Sequence, residues 1–135
     1  MMLTLFIALP VAAAQAVADE RSCADPMDQQ TMTACAVLDF ERAAEELDRQ
    51  FERTLADMAA TDREIEAGGG AGDAMPTYAE ALQESQRAWL AYRDAQCAFE
   101  GYEMRGGSGE RMVVAHCLAS LTRARAESLG ELWGE

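Results

Sequence analysis

The sequence predicts an all-α domain: a three-helix antiparallel bundle in which a helical hairpin packs against one long helix, stapled by two disulfides. Composition is the first reason. Half of the 135 residues are apolar, Ala is abundant, and proline is confined to Pro10, Pro26 and Pro76, a bias that favours long helices over a sandwich or barrel. The second reason is apolar residues recurring at three- and four-residue steps in three segments separated by glycine. The third is a set of four cysteines behind an apolar leader.

The leader comes first along the chain. Leu3 to Ala14 is an uncharged apolar run too short to span a bilayer, followed by the small-residue patterns Ala14-Gln15-Ala16 and Ala16-Val17-Ala18. This reads as a signal peptide over residues 1–16 with cleavage before Val17 or Asp19, leaving one domain over 19–135 in the periplasm or outside the cell. Once the leader is removed, no apolar run remains to insert into a membrane. An oxidising compartment turns Cys23, Cys35, Cys97 and Cys117 into a disulfide framework. Three pairings exist. The local pair Cys23–Cys35 would strap the incoming chain to the first helix, and Cys97–Cys117 would pin a hairpin. Because helix ends converge in a bundle, Cys23–Cys117 with Cys35–Cys97, and Cys23–Cys97 with Cys35–Cys117, remain open. Zinc is disfavoured, since there is no C-x-x-C and His116 is the single histidine.

Asp28 is placed to cap the first helix, whose stripe is Met32, Ala36, Phe40, Ala43, Leu47, Phe51, Leu55 and Met58. Glu45 stands four residues before Arg49 as a supporting pair on the solvated side. The pattern extends to Ala67, about 55 Å or more of helix, and a bend or fraying is expected past Ala60. Gly68-Gly69-Gly70 ends it. Thr77 and Glu80 stand in capping-box register for the second helix. Its expected inward stripe is Tyr78, Leu82, Ser85, Trp89, Tyr92, Gln96 and Phe99. Gly101, Gly106, Gly107 and Gly109 break the chain, and Ser108 offers a cap. A third helix then carries Val114, Leu118, Leu121 and Leu132 toward the core. Short connections imply antiparallel neighbours.

Acidic residues outnumber basic ones 24 to 11, a net charge of −13, and every basic residue is arginine. Such a surface argues against nucleic acid as a partner and attracts basic proteins. No cofactor-binding motif is present. Oxidised cysteines leave His116 without a nucleophile to activate, and Glu45 and Glu46 lack an apolar pocket to separate their roles, so no enzyme activity is expected.

Three blocks resemble one family. Met32-Thr33-Ala34-Cys35-Ala36, then Phe40, Ala43, Leu47 and Phe51, is similar to M-N-x-C-A, F and A-D-x-x-L-N-x-x-Y. Gln86-Arg87-Ala88-Trp89-Leu90-Ala91-Tyr92-Arg93-Asp94-Ala95-Gln96-Cys97 resembles Q-R-A-W-L-x-Y-R-D-A-E-C. Gly106-Gly107-Ser108, Met112, Cys117-Leu118, Leu121-Thr122 and Arg125 follow G-G-S, P-M, C-L and L-T-x-x-R. These are the blocks of the lysozyme-inhibitor LprI-like proteins, and they cover nearly the whole mature chain with all four cysteines in place. Ala44, Asp48, Phe51, Gln96 and Arg111 depart from the pattern.

The resemblance implies an exported protein that binds a partner, with lysozyme the partner named by the family. The alternative is a structural or stress-related envelope protein without lysozyme activity. Trp89 reads as core, while Arg93, Asp94 and Arg125 read as hydrogen bonds or a partly buried ion pair fixing the hairpin. Glu100, Glu103 and Glu110, among the glycines of the hairpin tip, are the candidate partner-binding residues.

Overall fold

Three helices account for nearly all of the computed structural model, which describes residues 23–70 and 75–132. The leader, both cleavage sites and the last residues lie outside the described residues. Helix α1 spans Gln29–Ala67, α2 Tyr78–Gly101 and α3 Glu110–Glu131, with a single 3₁₀ turn at Tyr102–Met104 between the last two.

Each helix starts where its backbone donors find acceptors. Asp28 caps α1, its Oδ1 accepting from the Thr31 N–H at 2.9 Å. These bonds, the backbone donor of Thr31 first, hold the Asp28 carboxyl below the usual range. Thr77 and Glu80 form the expected capping box on α2: Glu80 N–H donates to the Thr77 hydroxyl and Thr77 N–H to the Glu80 carboxylate. The cap of α3 is Gly109 rather than Ser108, with no side-chain hydrogen bond. Instead Glu110 turns back, accepting from the Gly106 N–H at 2.8 Å, and Gly106 takes the positive φ of 76° that the turn requires.

The long first helix runs to Ala67 without the expected fraying. Its far end is tied down by Asp62, whose two carboxylate oxygens accept the N–H groups of Tyr78 at 2.8 Å and Ala79 at 3.0 Å. One helix thereby caps the next. The Ala79 N–H chiefly, and then that of Tyr78, hold the Asp62 carboxyl below its ordinary value. A carboxyl lowered in the folded state adds stability that is present above its unfolded pKa and lost as pH falls through the folded one. Asp62→Asn should therefore melt below the parent at about pH 6, and the gap should close as the pH falls below the ordinary carboxylate range and through the lowered folded-state value. A melting gap that persists undiminished at the acid end would contradict this account.

Cross-helix bonds set the directions. Gln29 reaches Met112, Arg123 pairs with Asp39 at 2.9 Å, and the Thr54 hydroxyl meets the Leu129 carbonyl at 3.4 Å. Both numbers rise together, so α1 and α3 run parallel, with α2 antiparallel to each. The most extensive contact is between α1 and α3 rather than within the α2–α3 hairpin.

The core has two unlike halves. One end holds Leu47, Met58, Leu82, Ala126 and Leu129, with Phe51, Leu55 and Trp89 packed on them. The other end is built from small residues, Ala36, Ala115, Ala119 and Gly101, around Cys97 and Cys117. A Cβ on Gly101 would stand 2.6 Å from a Val114 methyl, so glycine lets α2 and α3 close there. Both disulfides lie at this end and take the local pairing, Cys23–Cys35 and Cys97–Cys117, with Cα atoms 5.6 and 5.4 Å apart.

Two expectations about facing are corrected. Leu132 is exposed, and Leu129 occupies the core in its place. On α2 the inward face is Leu82, Gln86, Trp89, Arg93, Cys97 and Gly101, while Tyr78, Tyr92 and Phe99 point outward. A strict heptad drifts by about 20° per seven residues on a straight helix. Across α2 that drift carries the later aromatics off the buried side.

Candidate functional site

Residues of the middle sequence block form a stack on the bundle side of α2. Trp89 on α2 lies between two guanidinium groups: Arg93 is 5.3 Å from its ring centroid and Arg125, from α3, is 5.8 Å away. Arg93 also sits 5.3 Å from the ring of Phe40 on α1. One arginine thus bridges aromatic rings from two helices. Its head group is held by Asp94, at 2.8 Å, and reaches the Thr122 hydroxyl of α3 at 3.4 Å.

Arg125 has neutral partners, donating to the side-chain amide oxygen of Gln86 at 3.1 Å and to the Ser85 hydroxyl at 3.0 Å. Partial burial pulls its pKa down from the usual arginine value. These bonds join α2 to α3 in the manner expected for fixing a hairpin. The ion pair itself is with the adjacent residue, not across helices. Trp89, Arg93 and Arg125 are brought together here on the bundle side of α2, with Asp94 exposed at its flank.

The three candidate glutamates do not form one cluster of like role. Glu100 is exposed and accepts from the Gln96 amide at 3.0 Å. Glu103 is exposed on the 3₁₀ turn. Glu110 is half-buried and closes the loop through Gly106. The tip therefore presents Glu100 and Glu103 to solvent and uses Glu110 within its own turn. Exposed carboxylates of this kind attract cations over a Debye length, about 8–10 Å at ordinary salt.

Sequence reasoning overlooked what stands beside them. Phe99 and Tyr102 are exposed with ring centroids 6.3 Å apart, and Arg105 lies over Tyr102 at 4.6 Å. Placing the aromatics of α2 by a 3.6-residue period, rather than a heptad, would have put Phe99 outside.

Elsewhere, the strap, α1 and α3 border a groove of about 440 Å³ lined by Cys23, Pro26, Met32, Arg42, Met112 and His116. His116 is exposed at its edge. Among the described residues no three His, Cys, Asp or Glu side chains are grouped to hold a metal ion, and no helix is long and apolar enough to cross a membrane.

Comparison with known proteins places this geometry. The family model described as lysozyme inhibitor LprI matches residues 21–129. An uncharacterized protein of Rhizobium meliloti (strain 1021) is 43% identical over 124 residues, covering 90% of this chain and 85% of the relative. No solved structure matches the chain.

Proposed function

The chain belongs to the lysozyme inhibitor LprI family, and from that premise we propose that it is an exported envelope protein that binds a muramidase and obstructs it. Family membership over residues 21–129, with both disulfides formed, is the observation that carries the reading. The acidic balance supports it: a net charge of −13 complements a cationic enzyme and speeds encounter. Glu100 and Glu103 are exposed at the tip, suited to meet the basic rim of a cleft whose own chemistry depends on carboxylates. Obstruction then requires only that the bundle sit across the substrate path. No group in the protein needs to react.

The test is a cell-wall turbidity assay with the mature protein and chicken-type lysozyme at low and moderate salt. Lysis should slow as the molar ratio rises, and less so at higher salt, because screening weakens charge steering. Unchanged lysis at several-fold molar excess would overturn the inhibitor reading and favour an envelope role without lysozyme.

A further inference from the structure

The side of α2 that faces away from the bundle is unlike the rest of this acidic surface. From residue 88 to 102 it presents Ala88, Ala91, Tyr92, Ala95, Phe99 and Tyr102, all exposed. Tyr92, Phe99 and Tyr102 are 56, 69 and 55% exposed. From Ala88 to Phe99 no charged side chain interrupts this strip: Arg93 turns inward, and Asp94 is held at its flank by Arg93; at its far end Arg105 lies over the Tyr102 ring at 4.6 Å. The strip is about 20 Å long at the helical rise. Contiguous exposed apolar surface on a soluble domain marks an interaction site more often than chance exposure does.

Charged groups bound it. Glu84, paired with Arg87, stands at one end, and Glu100 and Glu103, with Arg105 beside them, at the other. An aromatic centre inside a charged rim is the anatomy of a protein interface, in which buried aromatic anchors carry most of the affinity and rim charges govern the association rate.

We propose that this outward face of α2 is where the chain grips its cationic protein partner, with Tyr92, Phe99 and Tyr102 as anchors and Glu100 and Glu103 as steering groups. The inference rests on the muramidase reading above and goes further by assigning affinity and steering to different residues. Charge selects the occupant. A second copy would bring another −13 against this one, whereas a cationic protein gains attraction along the whole approach. Alanines between the rings keep the helix surface low, so that a partner can reach the rings of Tyr92 and Phe99.

Binding kinetics on immobilised chicken-type lysozyme separate the two roles. Tyr92→Gln with Phe99→Gln substitutes exposed positions by a good helix former, so the melting temperature should be unchanged. Affinity should fall at least about 30-fold, through faster dissociation, as expected when hot-spot side chains are removed. Glu100→Gln with Glu103→Gln should instead slow association several-fold at low salt and flatten its salt dependence.

Unaltered affinity in the aromatic variant, with wild-type binding intact, overturns this inference and leaves the inhibitor reading standing. Wild-type protein that binds no lysozyme overturns both. Sedimentation equilibrium supplies the other arm: a wild-type dimer that the aromatic substitutions dissociate would assign the face to a second copy and overturn the proposal.

Discussion

Replacing Cys97 and Cys117 together by serine should cost about 3 kcal/mol of stability, the chain-entropy value for a loop of this length, and lower the melting temperature by on the order of 10 °C. The bridge closes a separation of 20 residues. It also lies where the core is poorest in apolar volume, among Ala36, Ala115, Ala119 and Gly101. Burial scales with area, so alanines and glycine contribute less there than Leu47, Met58, Leu82 and Leu129 do at the opposite end. The covalent link compensates for what packing lacks. Hydrogen exchange of the double variant should show amides around 97–117 losing protection before those around Leu47 and Leu82.

The Cys23–Cys35 pair closes a comparable loop, separation 12. Its first cysteine lies outside any helix, so its removal should fray the strap and cost less globally. Urea unfolding of the two double variants checks the order. Equal losses, or a larger loss from Cys23 and Cys35, would contradict the assignment.

Trp89→Ala should destabilise the fold by about 3 kcal/mol, in the range for deleting a large aromatic packed on a core. Three consequences add up in that deletion. The core cluster loses a ring that packs against it. Arg93 loses one of the two rings it lies between, keeping only Phe40. Arg125, already partly desolvated with only neutral hydrogen-bond partners, loses its stacking surface. Trp89→Phe retains an aromatic face and should cost about 1 kcal/mol, since the cation–π contribution weakens but survives. A loss below about 1 kcal/mol for the alanine variant would show that the stack is not a structural centre. Because Trp89 faces the bundle while Tyr92 and Phe99 face away, Trp89→Phe should leave lysozyme binding unchanged.

Much of this was legible from residue order. The stripe of α1 through Ala36, Ala43, Leu47 and Met58 is the buried face. The caps at Asp28 and Thr77 are where the side-chain acceptors required them. Local disulfide pairing agreed with the simplest reading, although spacing alone left three. For α2 the reading failed in an instructive way. Leu82 and Trp89 fit both a 3.5- and a 3.6-residue period, but Tyr92 and Phe99 fit only the first. The bridge at Cys97 and the close approach at Gly101 hold the other face inward. A surface aromatic strip was thereby mistaken for core.

The candidate site divides the same way. Glu100 and Glu103 were legible as exposed tip residues, while the use of Glu110 inside its own turn depended on a bond to Gly106 across the loop. Asp62 as the cap of another helix left no local signal, because its partners are sixteen and seventeen residues away.

The sequence by itself determined the helical class, the starts of α1 and α2, the excess of negative charge and the family, since each depends on residues near one another along the chain or on their sum. Only the tertiary structure decided that α1 and α3 run side by side as the main interface, that Arg93 lies between rings from two helices, and that Tyr92, Phe99 and Tyr102 are left outside. Those outcomes depend on the rotation of each helix about its own axis. That angle is set by contacts between distant segments: a disulfide, a glycine approach and a stacked arginine.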